Sequence, residues 1–266
     1  MQPLVITSTS NPKFRYLQSL RNAKVRKQDL CSAVEGHKEI EMLLDANWEI
    51  IQLFYVSKFA DHTLVSKIVK QYPKADVIEL DENLFSKVTY RDSTGGMIAV
   101  VKTQSLKLKD LKPKGAPLLL IVDGVEKPGN LGAILRTADA ANIDAVLCCN
   151  LPGDIYNPNV IRASLGTIFT VPLVVAKENE IMQWLKENSI KVFCSNLHMA
   201  SDYFEQDYKG ASAIVVGTEA TGVSQSWIDF ADVNVKVPML GKIDSMNVSV
   251  AAAIMLYEAR RQRMKG

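Results

Sequence analysis

The sequence Leu-Leu-Leu-Ile-Val at residues 118–122 is the first of a series of short, continuous apolar runs. Runs of this length fit strands of a parallel sheet, which helices cover on both faces. Similar runs follow at residues 144–148, 171–175, 191–195, 213–217 and 233–237. Segments with helical periodicity lie at residues 131–142, 178–188, 225–230 and 248–264. This alternation of strands and helices predicts a parallel-sheet α/β domain.

The residues that precede this series predict a smaller α/β unit. Residues 12–23, 35–45 and 62–71 have helical patterns, whereas 51–56 and 97–101 have strand-like ones. Residues 106–117, LKLKDLKPKGAP, combine alternating charge, two prolines and a glycine, which suits neither helix nor strand. We therefore predict a linker there. Within 91–96, the paired Gly95 and Gly96 favour a turn with positive φ over a phosphate-binding loop.

The composition is that of an ordinary folded protein, since 47% of the 266 residues are apolar. The longest apolar run, at 116–122, is far shorter than the roughly 20 residues that span a bilayer, so no membrane helix is expected. The N-terminus lacks the basic start and apolar core of a secretory signal, and the four cysteines have no paired spacing. We therefore expect a cytoplasmic protein without disulfides.

Positive charge is concentrated in the N-terminal part of the chain. Residues 1–116 contain 18 Lys and Arg against 13 Asp and Glu, whereas the remainder contains 13 against 16. No acidic residue precedes Asp29. This bias favours contact with a polyanion, although charge alone equally fits a solvated helix face. The candidate RNA-contacting residues are Lys13, Arg15, Arg21, Lys24, Arg26 and Lys27.

Three loops that follow strands carry polar residues that a core does not need. In the first, Asn130 is suited to cap a helix, and Arg136 follows at a position roughly 120° around that helix. In the second, Glu219 follows a strand, where open α/β sheets place their ligand crevice. In the third, Ser245 or Asn247 is placed to cap the last helix. Taken singly, each loop also has a purely structural interpretation. Arg136 could be a surface residue, Glu219 an exposed acid in a turn, and Ser245 or Asn247 no more than a helix cap.

Other site motifs are missing from the sequence. It has no G-x-G-x-x-G after a strand, no G-x-x-x-x-G-K-[ST] and no Cys/His cluster with zinc spacing, which disfavours a dinucleotide-binding enzyme and a metal site. His37, His62 and His198 are scattered and lack a companion G-x-S-x-G motif, so we interpret them as surface or structural residues. Cys148 and Cys149 complete an apolar run and are interpreted as packing residues.

Together, the three loop segments carry a specific resemblance. NLGAILRTADA at 130–140, IVVGTEATGVS at 214–224 and VKVPMLGKIDSMNVSVAAAIMLYEARRQR at 235–263 are similar to the three motifs of the SpoU/TrmH family of RNA ribose 2′-O-methyltransferases. The resemblance covers about residues 118–264. Residues 6–44, with Asn11-Pro12 and Val34-Glu35-Gly36, also resemble the L30e-like substrate-binding domain that often precedes this catalytic domain. The departures are mild: Ala220-Thr221 replaces Gly plus a polar residue, and Met246 replaces a usual leucine.

The resemblance implies a two-domain α/β architecture. A small L30e-like RNA substrate-binding domain is expected at 1–105 and a linker at 106–117. A SpoU-type methyltransferase domain, with a parallel sheet and a deep trefoil knot, is expected at 118–266. Family members are usually homodimers whose active site draws residues from both subunits. The implied cofactor is S-adenosyl-L-methionine, and the residues implied to bind it are Asn196 or Leu197, Gly217, Thr218, Val237, Met239 and Met246.

The implied activity is transfer of a methyl group to a ribose 2′-hydroxyl, with 23S rRNA favoured. Methylation of tRNA and non-catalytic RNA binding are the alternatives, and the basic N-terminal part disfavours a small-molecule transferase. Arg136 is the family's catalytic candidate. Because arginine stays protonated, we assign it to orienting the hydroxyl and the adjacent phosphate, and the proton acceptor stays open. Asn130, Glu219, Ser245 and Asn247 are implied to fix Arg136 and the ribose, with Glu219 able to pair with Arg136. No metal, membrane or DNA partner is expected.

Overall fold

A computed structural model of the chain describes residues 4–90, 95–197, 200–219 and 221–264. Predictions that concern His198, Ala220 or residues 91–94 lie outside these ranges. The N-terminal elements are β1 (Leu4–Ile6), α1 (Pro12–Ser19), α2 (Ala23–Asp29), β2 (Cys31–Glu35), α3 (His37–Asp45), β3 (Ile50–Tyr55), α4 (His62–Gln71), β4 (Asp76–Leu80), α5 (Glu82–Ser86) and β5 (Met97–Lys102). The later elements are β6 (Leu118–Asp123), α6 (Pro128–Ala140), β7 (Ala145–Cys149), α7 (Pro158–Ala163), β8 (Leu173–Val175), α8 (Glu178–Glu187), β9 (Lys191–Ser195), β10 (Ser201–Asp202), β11 (Ser212–Val216), α9 (Gln225–Phe230), β12 (Val233–Lys236) and α10 (Val248–Met264).

The chain divides into two compact units, of which the first comprises Met1–Gln104 with Asp154–Thr170. Its sheet has the strand order β1–β4–β3–β5–β2, in which β5 runs antiparallel to both of its neighbours. The helices pack their apolar faces onto this sheet, and the core includes Phe14, Phe54 and Ile78, all fully buried. This unit is the smaller α/β unit that the N-terminal pattern predicts. The prediction that Gly95 and Gly96 adopt positive φ is confirmed.

The single helix predicted at 12–23 is wrong, because the structure has two helices there. α1 ends at Ser19, and α2 begins only after Asn22. The Asn22 side chain accepts a hydrogen bond from the backbone N–H of Lys24 at 2.9 Å, which caps α2. An asparagine inside a helical pattern therefore starts a new helix here instead of continuing the first.

Residues 154–170 complete the core of the first unit. The Trp48 indole N–H donates to the carbonyl of Phe169 at 3.1 Å, and the Tyr156 and Phe169 rings both meet Trp48 edge-on. The Arg26 guanidinium donates to the Asp154 carboxylate at 2.7 Å. The domain boundaries predicted from the sequence, with a linker at 106–117, assign residues 154–170 to the second domain. Those boundaries stay a prediction.

The second unit, Ser105–Gly153 with Val171–Gly266, contains the parallel sheet predicted from the apolar runs. The strand order is β10–β12–β9–β11–β6–β7–β8, and all neighbouring pairs are parallel. The central strands β6, β7 and β11 are buried at every residue, as expected for strands covered on both faces. The packing role predicted for Cys148 and Cys149 is confirmed, since both are fully buried.

The predicted linker has more structure than its sequence suggests. Leu106 forms a bridge to Val174, and Leu108–Asp110 form one turn of 3-10 helix. Leu106, Leu108 and Leu111 pack against the core of the second unit, while the lysines between them face water. In the described ranges, no helix is long and apolar enough to cross a membrane.

Candidate active site

A cavity of about 370 Å³ lies where the carboxyl ends of β9, β11 and β12 meet. Parallel strands end at one edge of a sheet, and α/β proteins bind their ligands there. The volume falls within the range of roughly 300 to 1,000 Å³ that is usual for small-molecule sites. The residues assigned to the cofactor by resemblance all line this cavity: Asn196, Leu197, Gly217, Thr218, Val237, Met239 and Met246.

The described residues of the loop at 217–224, which are 217–219 and 221–224, form one wall of the cavity, and two backbone hydrogen bonds close this loop. The backbone N–H of Thr218 donates to the carbonyl of Gly222 at 2.8 Å, and the N–H of Gly222 donates back at 3.1 Å. A Cβ at Gly217 would lie 2.2 Å from the Gly222 carbonyl oxygen, so only glycine fits there. The 217–224 loop therefore presents backbone to the cavity at close range.

Beside the cavity, Glu219 joins three segments of the chain. Its Oε1 accepts hydrogen bonds from Asn130 Nδ2 at 3.1 Å and from Asn247 Nδ2 at 2.5 Å. Its Oε2 accepts from Lys127 Nζ at 2.5 Å. Asn247 Nδ2 also lies 3.1 Å from Asn130 Oδ1, so the two amides contact each other as well as the carboxylate. The first, second and third sequence motifs thus converge on one carboxylate.

The Lys127 ammonium is the strongest electrostatic partner of Glu219. Its hydrogen bond, followed by that of Asn130, holds the pKa of Glu219 below its usual value. The same contact raises the pKa of Lys127. Both groups therefore stay charged near neutral pH. Sequence reasoning missed Lys127, although its place two residues before Gly129-Asn130 in the first motif was the available signal.

Two helix caps can be checked against the structure. The Asn130 cap is wrong: α6 begins at Pro128 with Lys127 as its N-cap residue, because proline is well suited to a first helical position. Asn130 lies in the first turn instead, where its amide is directed to Glu219. The Asn247 alternative is confirmed, since its Oδ1 accepts from the backbone N–H of Ser249 at 3.0 Å, at the start of α10.

Arg136 lies apart from this network. It is exposed on α6 and is not among the residues that line the cavity. Within the described residues of one chain, Lys127 and two amides occupy the Glu219 carboxylate. The pairing of Arg136 with Glu219 stays a prediction. Ser245 does line the cavity, and its hydroxyl lies 3.4 Å from Asp244 Oδ1. Within one described chain, the site therefore holds four of the five predicted catalytic residues.

Comparison with known proteins assigns the family. The model of the SpoU rRNA methylase family matches residues 117–257, more than half of the chain. This chain belongs to the SpoU rRNA methylase family. A second model, for an MRM3-like substrate-binding domain, matches residues 11–99.

Similar members of the SpoU family cover nearly the whole chain. The Bacillus subtilis 23S rRNA (guanosine(2553)-2′-O)-methyltransferase RlmP is 29% identical over 96% of this chain and 98% of its own. A Streptomyces viridochromogenes 23S rRNA (uridine(2479)-2′-O)-methyltransferase is 28% identical over 97% and 93%. The structure of an AdoMet-bound rRNA methyltransferase from Sinorhizobium meliloti is 29% identical, with a TM-score of 0.90 over 98% of both chains.

The cavity lining in this SpoU-family chain fits the cofactor that the family implies. Val237, Ile228 and Ala251 give the cavity apolar surface, which suits a flat aromatic ring. Gly217, Thr218 and Gly222 of the neighbouring loop also line the cavity. Glu219 and Asp244 place carboxylates at the rim, which suits a positively charged sulfonium.

The basic residues predicted to contact RNA differ in their exposure and in the contacts that their side chains already make. Arg26 does not fit that role, because it is 4% exposed and donates to Asp154 and to the carbonyls of Leu20 and Arg21. Lys13 pairs with Asp76. Arg21 donates to the carbonyl of Thr89 and lies over the Tyr90 ring at 5.0 Å. Among the described residues, Arg15, Lys24 and Lys27 are exposed and have neither an ion pair nor a side-chain hydrogen bond nor a ring contact.

Proposed function

We propose that this chain transfers a methyl group from S-adenosyl-L-methionine to a ribose 2′-hydroxyl of RNA, with 23S rRNA as the favoured substrate. The observation that carries the proposal is the convergence of three distant segments. Residues from 195–197, 217–223 and 237–251 line one cavity, and Asn130, Glu219 and Asn247 form a polar network at its edge. The two relatives act on a guanosine and a uridine, so the family does not fix the base.

The residues of the chain supply binding and orientation. When bound, the cofactor supplies an electrophilic methyl group carried on a positive sulfur. The cavity walls hold that group in place, which favours an in-line approach of the hydroxyl. Glu219 stays ionised and fixes the amides of Asn130 and Asn247, which can then hold the ribose. The Arg136 guanidinium binds the adjacent phosphate and the hydroxyl oxygen.

The site is proposed to be completed in a homodimer, with Arg136 of one subunit facing the cavity of the other. Two features support this arrangement. Arg136 is exposed and lies outside the cavity lining of its own chain. Val250, Tyr257 and Met264 recur at seven-residue intervals on α10, are about half exposed or more, and form an apolar stripe suited to a second helix. A trefoil knot in the second unit and an L30e-like fold in the first belong to the same proposal.

RNA is proposed to bind the first unit through phosphates and shape. Arg15, Lys24 and Lys27 lie on α1 and α2 and are the exposed cations that support this role. Phosphate contacts of this kind make binding weaken with salt.

The function is tested with Arg136→Ala in methylation of total rRNA in vitro. We expect methyl incorporation to fall by about a hundredfold or more, because a group that orients the nucleophile is lost. Cofactor binding by calorimetry and the circular dichroism spectrum should stay unchanged. Full methyl incorporation by the variant would contradict the role given to Arg136, and absence of cofactor binding by the unmodified protein would contradict the function itself.

The shared site is tested by mixing two inactive variants. Gly217→Val should close the cavity, since even a Cβ there lies 2.2 Å from the Gly222 oxygen. Mixed dimers of Gly217→Val and Arg136→Ala subunits contain one site in which both residues are intact. We expect activity to reappear after the two proteins are mixed and refolded together, and mass measurement in solution to give a dimer. Two inactive variants that stay inactive when mixed would place Arg136 in its own subunit's site.

A further inference from the structure

We infer that Asp123 is a positioning residue that fixes the end of the 217–224 loop and thereby sets the affinity of the cavity for S-adenosyl-L-methionine. The inference rests on the proposed function, since it concerns how the same cavity keeps its shape. Asp123 is the last residue of β6, is 4% exposed and does not line the cavity.

The Asp123 carboxylate is held by donors from two other loops. Its Oδ2 accepts the backbone N–H of Ser224 at 2.8 Å, at the point where the 217–224 loop ends and α9 begins. Its Oδ1 accepts from Asn150 Nδ2 at 2.8 Å, and the Cys149 thiol lies 3.6 Å from the same oxygen. No ion pair involves Asp123 within the described ranges. A buried carboxylate is costly to keep, so these donors must compensate its charge.

Only a carboxylate satisfies this arrangement. Ser224 N–H and the Asn150 amide both donate, and they approach different oxygens of Asp123. An asparagine at position 123 has one acceptor, so its NH₂ group would face one of the two donors in either orientation. The requirement for two acceptors therefore explains an acid at this position better than packing does.

The contacts around Asp123 restrain the end of the 217–224 loop at Ser224. Asn150 also donates to Glu178 at 2.7 Å, and the Ser224 hydroxyl lies 3.4 Å from Glu178. A loop fixed before the ligand arrives loses less entropy on binding, and this raises affinity.

The test is Asp123→Asn in the full-length protein, with S-adenosyl-L-methionine binding measured by calorimetry. We expect the Kd and the KM for the cofactor to rise about tenfold, while kcat at saturating cofactor stays within about twofold, because the bound cofactor restores the position of the loop and of Glu219 within it. Asp144→Asn is the matched control. Asp144 accepts the backbone N–H of Leu118 at 2.8 Å at the opposite end of β6. An asparagine keeps the one acceptor needed there, so this control makes the same substitution next to the same strand without leaving a donor unpaired. Its cofactor affinity should equal that of the unmodified protein.

Asn150→Gly provides a second variant if Asp123→Asn fails to fold. Asn150 is exposed and has a φ of 53°, which glycine adopts freely, so the change removes only the amide that orients Asp123. It should raise the cofactor Kd by about threefold with RNA affinity unchanged. Unchanged cofactor affinity in the folded Asp123→Asn or Asn150→Gly protein would overturn the inference, as would an equal loss in Asp144→Asn. If the unmodified protein itself fails to bind the cofactor, the proposed function falls and this inference falls with it.

Discussion

Glu219 carries the charge on which the polar network at the candidate active site depends. In Glu219→Gln, an amide replaces the carboxylate that Lys127, Asn130 and Asn247 share, so Lys127 loses its ion pair. We expect kcat/KM for methyl transfer to fall by about a hundredfold, as for other small displacements of positioning groups. The free energy of unfolding should change little, since exposed ion pairs contribute little to stability. The matched control is Glu82→Gln, which breaks the exposed Lys58–Glu82 pair in the first unit and should leave activity unchanged.

The same residue gives the activity a dependence on acid. The folded chain lowers the pKa of Glu219, chiefly through Lys127, so the ionised network is intact above the usual glutamate pKa and is lost as the pH falls through the lowered value. We expect methyl transfer at saturating substrates to fall only below the pH range in which an ordinary glutamate titrates. If activity already falls near pH 6, a group other than Glu219 governs the loss of activity on the acid side of the pH profile.

At this scale, the residues assigned to the cofactor by resemblance share one cavity, because the motif order encodes which strand ends meet. Their role in cofactor binding stays a prediction. Arg26 was misassigned because its partner, Asp154, lies 128 residues away in sequence. Charge counting treats all six basic residues alike, and no local pattern separates a buried arginine from its exposed neighbours.

At the scale of the element, the start of α10 combines a structural and a functional role in Asn247. Its Oδ1 caps the helix, whereas its Nδ2 donates to Glu219. Asn247→Ser keeps a capping hydroxyl but is too short to reach Glu219, so methyl transfer should fall while the free energy of unfolding changes by less than about 0.5 kcal/mol. Asn247→Ala should lose activity and also about 1 kcal/mol of stability by urea unfolding. Equal stability losses in the two variants would contradict the separation of roles.

The elements that the sequence predicted are those with strong local patterns. The helix α4 and the strand β9 have the predicted bounds, since their apolar spacing and flanking polar residues define both ends. The strands β1 and β4 were missed. β1 is short and mostly exposed, and β4 alternates charged with apolar residues, so their pairing with each other and with β3 depends on contacts distant in sequence.

At the scale of the whole molecule, the chain returns to its first unit after entering its second. Residues 154–170 contribute a helix, a 3-10 turn and hydrogen bonds with Arg26, Ser32, Trp48 and Gln104 to the first unit. The fold of this unit therefore depends on a segment more than fifty residues beyond β5. The domain predicted at 118–266 includes these residues, and that division stays a prediction.

Because residues 154–170 belong to the first unit, we expect a large loss of stability when the ion pair between Arg26 and Asp154 is broken. Arg26 and Asp154 are 3% and 10% exposed at their side chains. Asp154→Ala leaves the Arg26 charge buried without a partner and should lower the free energy of unfolding by about 3 kcal/mol or more. Glu49→Ala, which breaks the exposed Lys102–Glu49 pair, is the control and should cost less than about 1 kcal/mol.

The double variant Arg26→Met with Asp154→Leu then separates buried charge from lost packing. It removes both charges and should recover part of the stability, because apolar side chains can replace a buried ion pair. Recovery should be incomplete, since the carbonyls of Leu20 and Arg21 lose the guanidinium that donates to them. If Asp154→Ala unfolds like Glu49→Ala, the pair does not fasten residues 154–170 to the first unit, and that unit must hold the segment through Trp48 instead.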